Sequence, residues 1–248
     1  VASQTVNEIT INGGHSDYVK NISIFEGSAG NDIFTVTNGT YEFIGGSGDD
    51  TFNGTNFTGV VINGSNHTID SSGTQGAINA YATKGDTVDY SNSVNVDNKL
   101  FINLGTLTAG GYSEAFVTLI SDSSKAYTDS LYGIENITGT QNDDTITGNS
   151  LANTLLGSGG NDTLKGAGGA DRLDGGSGDD IFIIDNEADS NGDVIIGGAD
   201  YDTINYQGVG VGVTVNLESG TTATVTIGTN THTLTGVEYV IRSEEHTS

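Results

Sequence analysis

Between Gly139 and Ile183 the chain passes through five consecutive nine-residue units without a slip: GTQNDDTIT, GNSLANTLL, GSGGNDTLK, GAGGADRLD and GGSGDDIFI. Position one is always glycine (Gly139, Gly148, Gly157, Gly166, Gly175). Position six is Asp144, Asn153, Asp162, Asp171 or Asp180, and position eight is Ile146, Leu155, Leu164, Leu173 or Phe182. A flexible Gly/Asn/Asp linker does not hold an apolar residue in register. A fixed period of glycine, carboxylate and one apolar side chain predicts a parallel β-roll of short turns and short strands.

These residues resemble the hemolysin-type calcium-binding (RTX) family, whose repeat is G-G-x-G-x-D-x-U-x with U apolar. The resemblance implies a turn of six residues and a strand of three, two repeats to a coil, and same-side turns eighteen residues apart. It also implies bound calcium, several ions in all, held by backbone carbonyls of positions two and four in one turn, positions one and three in its stacked successor, and position six of both. Calcium takes six to eight oxygen ligands, and glycine tolerates the backbone that aims carbonyls at one point. Carried over, Thr140, Asn142 and Asp144 would join Gly157, Gly159 and Asp162. Ser158, Gly160 and Asp162 would join Gly175, Ser177 and Asp180. On the opposite edge Asn149, Leu151 and Asn153 would face Gly166, Gly168 and Asp171. Asn153 is neutral and Leu151 replaces a glycine, so this site is expected to be the weakest of the three.

The register recurs on either side. GSAGNDIFT (Gly27 to Thr35) and GGSGDDTFN (Gly45 to Asn53) lie one coil apart, with Phe34 and Phe52 inward, and the same rule joins Ser28, Gly30 and Asp32 to Gly45, Ser47 and Asp50. The unit between them, VTNGTYEFI, keeps an apolar Phe43 but has Tyr41 at position six and contributes structure only. After a four-residue slip at Ile184 to Glu187, ADSNGDVII and GGADYDTIN restore the phase with Asp193 and Asp202, whose same-side partners the spacing does not fix.

The chain has 248 residues, yet only 34% are hydrophobic, with 38 Gly and no Pro, Met, Trp or Cys, which is poor material for a compact two-layer enzyme. Its net charge of −25, from 32 acidic against 7 basic residues, argues against nucleic acid or an anionic membrane as partner. Absence of cysteine fits an exported protein stabilised by metal rather than disulfides. No run approaches the ~18 apolar residues of a membrane span. The chain starts at Val1 without a leader, and Arg242 to Ser248 (RSEEHTS) resembles the in-frame translation of a sequencing-library adapter, so a fragment of a longer protein is expected.

A second, longer repetition links the blocks. GDTVDY (Gly85 to Tyr90) is echoed by YDTINY (Tyr201 to Tyr206), LFINLGT (Leu100 to Thr106) by VTVNLESG (Val213 to Gly220), and LYGIENI (Leu131 to Ile137) by LTGVEYV (Leu234 to Val240). Segments such as Thr222 to Thr235 alternate with the period of half-buried strands. The expected architecture is all-β: calcium-binding parallel β-roll (right-handed β-solenoid) blocks alternating with strand spacers. The expected divisions are a first block over 1–62, a spacer over 63–130, the main roll over 131–205, a second spacer over 206–241 leading into a truncated cycle, and the tail 242–248.

No H-E-x-x-H, G-x-S-x-G or Walker A sequence occurs, and His15, His67 and His232 share no motif. Asp49–Asp50, Asp143–Asp144 and Asp179–Asp180 recur at a fixed repeat position, which favours metal ligation over a glycosidase pair. The expected function is non-catalytic: a calcium-binding structural module of a large secreted or cell-surface bacterial RTX protein, adhesin-like, folding on export through type I secretion when calcium binds. The alternative is the accessory module of an exoenzyme (metalloprotease, lipase or alginate epimerase) whose catalytic domain lies outside this chain. Cell-surface or polysaccharide ligands are further candidate partners, the Thr-rich strand at Thr222 to Thr235 being the segment for carbohydrate or ice.

Overall fold

A computed structural model describes residues 7–11, 15–19, 24–27, 32–36, 42–44, 51–54, 61–63, 87–91, 99–105, 114–120, 126–132, 134–185, 192–217 and 222–242. Every regular element among them is a strand. In the repeats each strand is brief because only three residues separate one turn from the next. In Thr145–Thr147 the flanking threonines are half-buried and Ile146 is buried, the burial that β-branched residues around one inward side chain favour.

Strands pair in parallel at the eighteen-residue step that the register predicts. Thr145–Thr147 pairs with Thr163–Lys165, placing Ile146 beside Leu164, and Leu164 lies beside Phe182 in the next strand. In the opposing sheet Leu155 pairs with Leu173. These five side chains are fully buried and belong to one continuous cluster. The core is therefore about one side chain deep from each sheet, and the fold is a parallel β-roll.

Beyond Ile183 the step lengthens from eighteen residues to twenty-two without loss of pairing. Leu173 lies beside Ile195 and Phe182 beside Ile204. The four-residue slip is thus absorbed between strands, and the sheets continue. In the first block, Phe34 pairs with Phe52 across the same eighteen-residue step, their rings stacked at 5.1 Å.

The spacer segments join the same two sheets. Lys99–Asn103 runs parallel to Thr145–Thr147, and Glu114–Ile120 and Ala126–Tyr132 extend it as an antiparallel meander that returns to Val61–Asn63. Thr87–Asp89 bridges Thr51–Gly54 and Asn136–Thr138 in the other sheet. The second meander, Val213–Leu217, Thr222–Ile227 and Asn230–Thr235, is attached to Val194–Ala199 and so lies on the sheet opposite to the first meander. The echoed sequence units therefore alternate faces: Thr87–Asp89 stands in one sheet and its echo Thr203–Tyr206 in the other.

Candidate metal centre

Three turns of the main roll, and a fourth beyond the slip, share one backbone conformation. Position two and position four are left-handed in each: Ser158 (φ 82°) and Gly160 (100°), Ala167 (70°) and Gly169 (123°), Gly176 (106°) and Gly178 (117°), Gly198 (121°) and Asp200 (79°). Non-glycine residues rarely adopt this region, and three do so here because stacked neighbours fix the turn. A Cβ on Gly160 would collide with the Asn142–Asp143 peptide, and one on Gly178 with the Gly160 carbonyl.

The first two turns are closed differently. The Asn142 N–H donates to Thr140 Oγ1 (3.1 Å), and the Leu151 N–H donates to Asn149 Oδ1 (2.8 Å). Thr140, Asn142, Asn149 and Leu151 stack in register, but none shares the left-handed backbone of the later turns. The Asn149 carbonyl also accepts the Gly168 N–H at 2.9 Å.

The position-six side chains form two ladders. On one edge the Asp144 N–H donates to Asp162 Oδ1 (2.7 Å), Asp162 N–H to Asp180 Oδ1 (2.7 Å), and Asp180 N–H to Asp202 Oδ1 (2.9 Å). At its ends the Leu100 N–H donates to Asp144 Oδ1 (2.8 Å) and the Asp202 N–H to Glu238 Oε2 (2.8 Å). On the other edge the Asn153 N–H donates to Asp171 Oδ1 (2.8 Å) and Asp171 N–H to Asp193 Oδ1 (2.9 Å). One oxygen of each carboxylate thus serves the fold.

The second oxygen decides what the edge can bind. Oδ2 of Asp162, Asp180 and Asp202 is buried and receives no hydrogen bond. Each carboxylate folds back over glycine at position one of its own repeat, where a Cβ on Gly157, Gly175 or Gly197 would overlap it. Asp144 differs, because its Oδ2 accepts the Thr140 N–H (2.6 Å) and lies 3.1 Å from Thr140 Oγ1. Asn153 is occupied by neutral partners, accepting the Asn149 N–H (2.8 Å) and donating to the Glu135 carbonyl (2.8 Å).

A row of like charges in a buried edge raises each carboxyl's proton affinity. Burial pushes Asp162 up to about 8, opposed by the Asp144 N–H and reinforced by the charges of Asp144 and Asp180. Burial likewise lifts Asp180 to about 7 and Asp144 to about 6, and it raises Asp202, beside which Glu238 adds its charge. An undonated buried acceptor is destabilising unless a proton or a cation pairs with it. Undonated carboxylate oxygens beside backbone carbonyls are the hard oxygen donors that suit calcium. Among the described residues no group of three or more His, Cys, Asp or Glu is placed to hold a metal.

A further ladder runs along position five. The Asn161 N–H donates to Asp143 Oδ1, Asp179 N–H to Asn161 Oδ1, and Tyr201 N–H to Asp179 Oδ1, each at 2.9 Å. Asp143 and Asp179, the first acids of their Asp–Asp pairs, therefore close the outer rim rather than joining their neighbours.

Gly157, Ser158, Gly159, Gly160, Asp162, Gly175, Ser177 and Asp180 are brought together by adjoining turns: Ser158 pairs with Gly176 and Gly159 with Ser177. Gly166, Gly168 and Asp171 lie over Asn149 and Asn153. In the first block the Asp32 carbonyl accepts the Thr51 N–H (2.9 Å), while Ser28, Gly30, Gly45, Ser47 and Asp50 lie outside the described residues. Asp193, Asp202, Glu238 and His232 belong to the ladders but stand outside the uninterrupted register. The signal for Asp202 was GGADYD itself, displaced by the slip, whereas Glu238 and His232 sit in no nonapeptide.

A β-roll with stacked acidic turns is the form that calcium-binding nonapeptide repeats take. Residues 129–150 and 147–182 match the model of the RTX calcium-binding nonapeptide repeat, in four copies. This segment is an array of RTX repeats. Among solved structures the chain is similar to the crystal structure of extracellular lipase LipA from Serratia marcescens, at 16% identity and a TM-score of 0.27, covering 89% of this chain and 39% of that one. The chain thus spans less than half of that lipase, and a likeness at this score carries no argument. No curated protein matches the chain significantly.

Proposed function

We propose that this chain is a non-catalytic, calcium-dependent structural module of a large secreted or cell-surface RTX protein, adhesin-like in role. The observation that carries the reading is the undonated buried Oδ2 of Asp162, Asp180 and Asp202 in one stacked edge. A fold with one inward side chain per nine residues buries little apolar surface against the entropy of ordering its turns. Calcium when bound supplies the positive charge that a column of carboxylates lacks. Asp162, with Asp144 on one side and Asp180 on the other, would hold it at two successive levels, while Gly157 and Gly175 keep the space beside the carboxylates clear. Binding free energy then becomes folding free energy, so the module is ordered where calcium is millimolar and unfolded where it is scarce. That dependence suits a protein folded only after export.

The test is circular dichroism of the chain in chelator and then in millimolar calcium. A coil-to-β transition on adding calcium is expected. Equal β content in both conditions would remove the calcium dependence.

A further inference from the structure

The acidic edge does not end with the last nonapeptide. Tyr239–Arg242 pairs in parallel with Thr203–Tyr206, placing Tyr239 beside Thr203 and Val240 beside Ile204. Glu238 therefore stands in register with Asp202, one coil further on, and the Asp202 N–H donates to Glu238 Oε2 at 2.8 Å as every earlier Asp N–H donates to its successor. The turn before it is short. Thr235 pairs with Ile196 in the opposing sheet, so Gly236 takes the place of Gly197, and only Val237 separates it from the carboxylate.

What survives in that short turn are the two groups that matter at its start and end. In each nonapeptide coil the position-one carbonyl of the next same-side turn lies over the position-one glycine: Gly157 O over Gly139, Gly175 O over Gly157, Gly197 O over Gly175. The Gly236 carbonyl lies over Gly197 in the same way. Below it, Gly198 and Asp200 carry the left-handed backbone of a complete turn. Asp202 is fully buried, and its Oδ2 receives no hydrogen bond.

We infer that Asp202 and Glu238 form a further divalent-cation site, one level beyond the nonapeptides, with a glutamate from a Gly-x-Glu turn as the closing carboxylate. Gly236 supplies the overlying carbonyl, and Gly198 and Asp200 those of the turn beneath. The opposite edge has no such place, because His232 follows Asp193 there and its Nδ1 lies 3.1 Å from Asp193 Oδ2. The two edges thus end differently, one on a cation and the other on an imidazole. This inference rests on calcium binding by the roll itself.

The experiment is calcium titration of the whole chain by calorimetry and by native mass spectrometry, parent against Glu238→Gln. Glutamine retains an oxygen to accept the Asp202 N–H but removes the charge, so the β-roll is preserved. The variant should bind one ion fewer, with β content in saturating calcium unchanged. Terbium luminescence excited through tyrosine should also fall, since Tyr201 and Tyr239 flank the site with ring centroids 6.3 Å apart. If Glu238→Gln binds as many ions as the parent with the same affinities, the site falls while the calcium reading stands. If the parent binds no calcium, both fall.

Discussion

His232 Nδ1 lies 3.1 Å from Asp193 Oδ2, and both side chains are buried. Thr233 pairs with Val194, so His232 stands where that edge would carry its next carboxylate. An acid there would add to a column of like charge. An imidazole instead gives Asp193 a nitrogen to face, and the Tyr206 ring packs edge-on against it at 6.0 Å.

His232→Ala should therefore deprive Asp193 Oδ2 of the nitrogen it faces, while Oδ1 still accepts the Asp171 N–H, a loss on the order of 1–3 kcal/mol for one buried acceptor left unsatisfied. Urea denaturation in saturating calcium would measure it. A loss below about 0.5 kcal/mol, the range of an ordinary surface change, would mean that the contact contributes nothing.

Asp162 lies between two acidic neighbours, whereas Asp171 lies between the neutral Asn153 and Asp193. Asp162→Ala should lower calcium stoichiometry by more than one ion or shift the calcium midpoint of folding further than Asp171→Ala, since affinity in oxygen-ligand sites follows ligand charge. Asp162→Asn keeps an acceptor for the Asp144 N–H and separates the lost charge from the lost hydrogen bond. Calorimetric titration of the three variants ranks them. A larger effect from Asp171→Ala would contradict the pairing of Asp162 with both Asp144 and Asp180.

Without calcium the roll should be most stable in acid. Folded Asp162, Asp180 and Asp144 titrate near about 8, 7 and 6, all above the ordinary 3.8. Protons therefore bind the folded form more tightly than the unfolded one. Their stabilisation is complete below the unfolded value and is lost as pH rises through the folded values. In chelator, β content should rise as pH falls from 8 to 5, a window set by those values. Circular dichroism across that range checks this, and a flat profile would show that the carboxyls do not oppose folding.

Glycine at position one is a steric requirement. A Cβ on Gly157 would overlap Asp162 Oδ2 and come within 2.6 Å of the Gly175 carbonyl, whereas one on Gly159 would meet the movable tip of Gln141 at 3.1 Å. Gly157→Ala should cost about 1–3 kcal/mol as an overpacked site and weaken calcium binding. Gly159→Ala should do neither to the same degree. Thermal melts of both in calcium decide it.

How far the sequence exposed this arrangement follows from where its period is strict. From Gly139 to Ile183, Ile146, Leu164 and Phe182 fell into one row and Leu155 and Leu173 into the other because position eight has no alternative inward residue. The same period could not reveal that Thr140 and Asn149 close their turns with side-chain oxygens, since that depends on which groups compete for a free N–H. It marked the four-residue slip and the return of phase at Asp193 and Asp202 but not their same-side partners, which strand pairing sets twenty-two residues back through Ile195 and Ile204. His232 carried no repeat signal and Glu238 only its place in the longer echo of LYGIENI by LTGVEYV, and pairing to Asp193 and Asp202 shows what they face.

Both position-six ladders point the same way along the chain. Asp144 depends on Asp162, Asp162 on Asp180, Asp180 on Asp202 and Asp202 on Glu238 for the acceptor that satisfies its N–H. A coil lacking its C-terminal neighbour leaves its position-six amide bare, while one lacking its N-terminal neighbour leaves bare the amide that follows, since the Thr163, Ile181 and Thr203 N–H groups donate back to the Asp144, Asp162 and Asp180 carbonyls. Each coil is consequently held from both sides, and the two ends of the array differ in which amide they expose, not in whether one is exposed.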